Sequence, residues 1–231
     1  MAHTVSDEGL GGKRSAASQA VDRVASGMVI GLGSGSTARL AVSEIGRRLA
    51  VGALQDVIGV PTSRVTEEHA LASGVPLTTL DRHPDLDLTI DGADEVDLHG
   101  NLLKGLGGAL LWEKIVASCS RRLVIAVDSG KLVDRLGERH PVPVEVVAFG
   151  WTTHLDAIGA LGGQPALRMA DGGAPYRTDE GHLVLDVWFR EGITDLESLA
   201  QALRERAGVV ETGLFLGFDP EVVVGDGGQA I

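Results

Sequence analysis

The sequence predicts an α/β protein with an open parallel sheet and helices on both faces, joined to a smaller α+β lobe. Three observations predict it. Short, nearly uninterrupted apolar runs at 28–31, 57–60, 86–90 and 123–127 are spaced widely enough to leave room for helices. The segments between them carry apolar residues at helical spacing, and polar loops follow directly on several of the runs. Beyond about residue 135 the order changes to strand, helix, strand, strand, helix, strand.

Taken in order, residues 1–12 are polar and glycine-containing and read as a frayed end. From Lys13 onward Ala16, Ala17, Ala20, Val21 and Val24 recur at helical spacing, and the pattern stops at Gly27, a C-terminal cap. The strand 28–31 opens into Gly31-Leu-Gly-Ser-Gly-Ser-Thr37. A helix over about 38–49 follows, with Leu40, Ala41, Ile45 and Leu49 on one face. Strand 57–60 ends at Pro61-Thr-Ser63 and leads into a short helix at 66–73. Residues 75–80 and 86–90 read as strands, 112–120 as a helix, and 123–127 as the most apolar strand. In such a Rossmann-like sheet, ligands bind beyond the carboxyl ends of the strands, so the loops 31–37, 91–97 and 128–131 should gather along one edge. Strands 142–149, 165–170, 182–189 and 209–211 with helices 151–162 and 195–207 give a split, ferredoxin-like βαββαβ order. The expected domains are a Rossmann-like catalytic domain over 1–135 and 212–231, and a ferredoxin-like lobe over 136–211. The runs 213–217 and 221–225 are expected to return to the first domain.

Composition limits the partners. A net charge of -12 argues against nucleic acid or an anionic membrane, which are bound by clustered Lys and Arg. The single cysteine, Cys119, excludes an internal disulfide and fits a reducing cytoplasm. No signal-peptide core and no stretch approaching the roughly 18 apolar residues of a membrane span is present. A small-molecule substrate is the remaining class.

Gly31–Thr37 joins a strand to a helix, and the glycines with the hydroxyls of Ser34, Ser36 and Thr37 suit an anion at the helix start. A plain capped turn is the competing reading. The loop lacks the Gly-Lys-Ser/Thr ending of a P-loop. It also departs from Gly-x-Gly-x-x-Gly at Ser36 and has no acid about 20 residues on, which disfavours a dinucleotide. Lys13, Lys104 and Lys131 are the cations available to a phosphorylated ligand.

The densest chemistry lies in 88–114. Asp91, Asp94, Glu95 and Asp97 follow a strand, Lys104 stands alone in an apolar, glycine-rich setting, and Glu113 falls on a helix start. The carboxylate spacing is not that of an EF-hand, and the seven histidines are scattered, so neither calcium nor zinc is read here. A solvated, helix-capping loop is one reading. The other is acid–base chemistry with Glu113 as general base and Lys104 and the Gly105–Gly108 backbone beside an oxyanion. By themselves the residues reach a phosphorylated-metabolite enzyme using acid–base chemistry.

The segments GLGSGST (31–37), PTSRVT (61–66), DGADEVD (91–97), KGLGGALLWEK (104–114), VDSGKLV (127–133), PVEVV (143–147), LGGQPALR (161–168) and GVVETGLF (208–215) closely resemble ribose-5-phosphate isomerase, type A. They cover most of the chain in order. The resemblance implies interconversion of D-ribose 5-phosphate and D-ribulose 5-phosphate through a cis-enediolate, without metal or other cofactor, in the non-oxidative branch of the pentose phosphate pathway. It implies a cytoplasmic homodimer or dimer of dimers. It assigns Glu113 as the base between C1 and C2, and Asp91 and Lys104 to the O1 and O2 protons and ring opening. Asp94 would position hydroxyls, with Gly92 and Ala93 beside it, and Gly105, Leu106 and Gly107 would offer backbone donors. Ser34, Gly35, Ser36, Thr37, Lys13 and Lys131 would hold the phosphate. Ser34 stands for a more usual Thr and Gly130 for a Ser, and Trp112 is bulkier than the usual neighbour of the base. Leu106 stands for a Gly, which requires a φ there that a side chain can adopt. The alternatives are another sugar-phosphate enzyme on the same scaffold and a sugar-phosphate-binding effector module.

Overall fold

Apolar runs that are buried on both sides become parallel strands, and four of the runs do so here. The computed structural model describes residues 7–190 and 192–225. In chain order they form α1 (Asp7–Val21), β1 (Val29–Leu32), α2 (Ser36–Ala50), β2 (Ile58–Pro61), α3 (Arg64–Ala72), β3 (Leu88–Asp91), β4 (Glu95–Val96), β5 (Leu102–Leu103), α4 (Leu110–Ser118) and β6 (Leu123–Val127). Then follow β7 (Val142–Val146), α5 (Thr153–Ala160), β8 (Gln164–Leu167), β9 (Leu183–Trp188), α6 (Leu196–Arg204), β10 (Val209–Thr212), β11 (Leu214–Phe215) and β12 (Glu221–Val224).

The chain divides into two compact units, the first drawn from Met1–Ala93, Trp112–Leu132 and Phe218–Ile231. Its sheet has the order β12-β6-β3-β1-β2, with every neighbouring pair parallel. Ile30, Leu32, Leu88, Ile90, Val124 and Ala126 pack with Ala16, Ala17 and Ala20 of α1 and Ala41, Val42 and Ile45 of α2. The other face meets α4, where Val116 packs with Val60 of β2 and with Leu86, which precedes β3. Both faces are covered, so the strands need apolar residues throughout. The parallel pairing also brings the carboxyl ends of β1, β2, β3 and β6 to one edge.

The second unit is drawn from Asp94–Leu111 and Val133–Gly217. Its four-stranded sheet has the order β10-β7-β9-β8 and is antiparallel, which is the ferredoxin-like order for β7-α5-β8-β9-α6-β10. Val142, Val144, Val146, Leu183, Leu185 and Val187 face a core shared with Leu199 and Leu203 of α6 and Ile158 of α5. By alternation Glu145 and Asp186 lie on the other face. A smaller sheet, β11-β5-β4, completes the unit.

Several expectations change. The first helix begins at Asp7 and ends at Val21, so it takes in part of the expected frayed end; residues 1–6 lie outside the described residues. Gly27, with φ 83°, is a turn residue beyond that helix and not its cap. No strand forms over 75–80: Pro76 has no N–H to donate to a ladder, and only the isolated bridge Gly59–Leu77 remains. The run 213–217 does not join the parallel sheet. Leu214 and Phe215 are buried and pair with Leu103 and Leu102, whereas β12 alone reaches β6. That pairing also explains why residues 94–111, expected with the first domain, cluster in the second unit.

His154 of α5 is buried, and its Nδ1 accepts a hydrogen bond from Arg206 Nε at 2.9 Å. Burial, then the Arg206 charge, push its pKa below the usual 6.5. The unfolded chain therefore takes up a proton that the folded chain refuses, and stability is lost as pH falls below about 6.5. Urea midpoints should drop between about pH 7.5 and 5.5, and should drop less in His154→Asn. Equal pH slopes in the two proteins would remove His154 from the account.

Candidate active site

In the first unit the glycine loop is built around one carboxylate. Asp91 ends β3, is 1% exposed, and its Oδ1 accepts from the Ser34 N–H at 3.1 Å and the Gly92 N–H at 2.7 Å. The Gly33 backbone lies so close that a Cβ there would sit 2.2 Å from Asp91 Oδ1, so only glycine fits. Ser34 Oγ lies 2.8 Å from Thr62 Oγ1, 2.8 Å from Ser63 Oγ and 3.0 Å from Thr66 Oγ1. Ser63 also caps α3 by accepting from the Thr66 N–H at 3.1 Å. The Ser34 side chain thus fastens the loop to α3 rather than offering its hydroxyl to a ligand. The PTSRVT segment supplies that hydroxyl cluster.

The start of α2 is different. Gly35 (φ 90°) is its N-cap, no side chain caps it, and no acidic residue stands in its first turn. The first-turn amides, with their partial positive charge, are thereby left to an anion. Lys13 Nζ donates to Ser36 Oγ at 3.1 Å, which brings α1 to the same loop, and Thr37 is buried. Lys131 is half-buried in a 3-10 turn after β6, on the same sheet edge, in a turn that Asp128 caps by accepting from Gly130 N–H at 3.1 Å. That cap holds the turn with Gly at 130. Gly92 and Ala93 are half-buried beyond β3. Glu113 stands in the first turn of α4 and is 5% exposed, and the half-buried Trp112 precedes it.

In the second unit Lys104 is 4% exposed; its N–H donates to Gly213 O at 2.9 Å and its ammonium lies 5.5 Å from the Phe215 ring centroid. This cation–π contact offsets part of the cost of burying the charge. After it the chain turns at Gly105 (φ 97°) and Gly108 (φ 83°), whereas Leu106 has no positive φ. The side chain at 106 is therefore accommodated without strain. Asp94 Oδ2 accepts from the Leu106 N–H at 2.9 Å, so that amide is already engaged. Arg168, which carries no role in the sequence reading, donates from Nη1 to Gly105 O and Leu106 O at 3.0 Å each. Its only sequence signal was its place at the end of LGGQPALR. Among the described residues no group of three or more His, Cys, Asp or Glu side chains is arranged to hold a metal ion.

The other two carboxylates of the acidic loop are structural, and one is more deeply buried than expected. Glu95 is 0% exposed and accepts from the N–H groups of Gly137 (2.6 Å), Arg139 (2.8 Å) and His140 (2.7 Å). Asp97 caps its own turn through the N–H groups of His99 and Asn101, both at 2.9 Å. Glu95→Ala would leave three amides without their acceptor and should cost about 3 kcal/mol or more of unfolding free energy. A urea-denaturation loss under about 1 kcal/mol would contradict this role.

Residues 58–229 match the family model of ribose 5-phosphate isomerase A (phosphoriboisomerase A). The chain is 54% identical over 212 residues to ribose-5-phosphate isomerase A of Roseiflexus castenholzii, covering 92% of this chain and 90% of that one. It is 49% identical to the enzyme of the same name from Gluconobacter oxydans, covering 92% and 91%. Among solved structures, ribose 5-phosphate isomerase A from Methanocaldococcus jannaschii superposes with a TM-score of 0.89 at 39% identity, covering 95% of this chain and 96% of that one. A D-ribose-5-phosphate isomerase in complex with phospho-erythronic acid gives a TM-score of 0.89 at 36% identity, covering 92% and 93%. On these matches the chain belongs to the ribose-5-phosphate isomerase A family, enzymes that interconvert ribose 5-phosphate and ribulose 5-phosphate.

Proposed function

We propose that this chain performs its isomerisation by proton transfer through a cis-enediolate, with Glu113 as the general base. The observation that carries the reading is the burial of three charged side chains, Asp91, Lys104 and Glu113, within one stretch of the sequence. Buried charges are expensive, and carboxylates and a lysine kept from water in this way are suited to acid–base work. In the open-chain aldose Glu113 takes the proton from C2, the electron pair moves to form the C1–C2 double bond, and O1 gains negative charge. Returning the proton to C1 completes the ketose. Lys104 and Asp91 would exchange protons with O1 and O2 and assist ring opening, and Asp94 would hold the backbone that faces the sugar.

The phosphate would lie at the start of α2, on the amides and hydroxyls of Ser36 and Thr37, with Lys13 and Lys131 supplying charge. The unblocked helix start supports this, whereas Ser34 contributes through its loop contacts. We place the reaction in the non-oxidative branch of the pentose phosphate pathway, in the cytoplasm, with the enzyme a homodimer or a dimer of dimers. Among the described residues no helix is long and apolar enough to cross a membrane. Phospho-erythronic acid, named with the related structure, is a suitable competitive probe because its carboxylate resembles an enediolate in charge and shape.

The direct test is the purified chain with ribose 5-phosphate in deuterated water, which should yield ketose carrying solvent deuterium at C1. Ketose without deuterium at any ratio of enzyme to substrate would point to hydride transfer and away from Glu113. Glu113→Gln should lower kcat by about two to four orders of magnitude with KM little changed. Lys131→Ala should instead raise KM by about 10-fold or more with kcat nearly intact, the loss of one charge-assisted contact. A kcat effect alone would move Lys131 away from the phosphate.

A further inference from the structure

The turn 104–108 is held by side chains on both of its sides, and all of them belong to the second unit. Asp94 takes the Leu106 N–H. On the carbonyl side, Arg168 Nη1 bonds both Gly105 O and Leu106 O at 3.0 Å, and Tyr176 Oη donates to Gly107 O at 3.3 Å. Three successive carbonyls are thus held from residues 168–176. Arg168 is itself fixed: its Nε bonds Asp186 Oδ2 at 2.9 Å, its Nη2 bonds Asp186 Oδ1, and its guanidinium lies 5.6 Å from the Tyr176 ring centroid. Tyr176 also fills the space beside Gly108, where a Cβ would fall 2.1 Å from its hydroxyl.

Peptide planarity turns this grip into a statement about donors. Each C=O and the N–H that follows it are parts of one rigid plane and point in opposite directions. Fixing Gly105 O fixes the Leu106 N–H, which goes to Asp94. Fixing Leu106 O fixes the Gly107 N–H, on an exposed residue, directed away from the guanidinium. A charge-assisted bond to a carbonyl also polarises its peptide, which strengthens the N–H at the other end.

We propose that Arg168 is a positioning residue for the isomerisation: held by Asp186 and Tyr176, it orients and polarises the turn so that the Gly107 N–H meets the developing enediolate oxygen. This rests on the reading of the turn as the oxyanion donor. Of the three backbone donors in the resemblance, Gly105 is buried and Leu106 is committed to Asp94, so Gly107, which is exposed, is the one assigned to substrate. Arg168 touches no substrate in this scheme and acts through the turn.

The test compares Arg168→Met, Arg168→Lys, Tyr176→Phe and Asp186→Asn with the wild-type enzyme and Glu113→Gln, using ribose 5-phosphate and kcat corrected for the folded fraction. Arg168→Met should lower kcat by about 100-fold, with KM within about threefold of wild type. Arg168→Lys keeps the charge but cannot hold two carbonyls and the Asp186 fork together, and should recover no more than about 10-fold of that loss. Asp186→Asn and Arg168→Met should be strongly non-additive, because they break one network. Wild-type kcat in folded Arg168→Met, or a change confined to KM, would overturn the proposal. Should Arg168→Met fail to fold, Arg168→Lys and Tyr176→Phe decide it, and wild-type kcat in both overturns it. Loss of turnover in Glu113→Gln with full turnover in the Arg168 variants would sink the positioning role alone. Full turnover in Glu113→Gln with loss in Arg168→Met would sink the base assignment alone.

Discussion

A carboxylate buried at the end of the central strand is the constraint on which the first unit's functional edge depends. Asp91 must be satisfied where water does not reach it, and the backbone of the glycine loop does part of this: Ser34 and Gly92 present their amides to one oxygen. That demand excludes a side chain at residue 33, draws Ser34 inward, and lets the hydroxyls of Thr62, Ser63 and Thr66 close around it. The loop is thereby fixed to β3 and to the start of α3, and the start of α2 is left open toward solvent. Replacing a buried polar partner there would cost more than its hydrogen bond, because the partner left behind stays buried.

The second unit meets a similar demand with the opposite charge. Lys104 is buried against the face of Phe215, directly after the strand β5 that pairs with β11. The turn that follows needs left-handed backbone at Gly105 and Gly108 but not between them. Its peptides are then held from both sides, by Asp94 at an amide and by Arg168 and Tyr176 at carbonyls. A backbone held this firmly can present a donor without reorganising when charge develops, which is where electrostatic catalysis gains most. Glu145 belongs to the same face of the sheet, where Thr178 and His182 bond it, and burial raises its pKa. Its contribution to stability therefore has the opposite pH sense to that of His154, fading as pH rises above the ordinary glutamate range.

Much of the fold was legible because its causes are local. Runs such as Leu123–Val127 are apolar at every position, which only a strand covered on both faces requires. The βαββαβ order could be read from alternating periods and turn residues. Where the reading failed, the cause was a distant partner or a missing donor. Residues 75–80 have strand-like composition, but Pro76 interrupts the ladder, and Leu214–Phe215 find Leu102–Leu103 rather than the parallel sheet. Glu95 was read as part of a solvated, helix-capping loop; it is instead buried and holds the amides of a turn at 137–140, more than 40 residues away, so the burial was invisible.

By itself the sequence determined the residue types at the site, the strand ends that carry them and the family to which the chain belongs, since these depend on composition and spacing along one segment. Only the tertiary structure decided what each group is engaged with. It turned the Ser34 hydroxyl inward, committed the Leu106 amide to Asp94, and brought Arg168 onto carbonyls 62 and 63 residues away in the chain. The physical reason is the same in each case. A hydrogen-bonding group must find a partner once it leaves water, and the partner is set by which surfaces pack together, a fact no local pattern records.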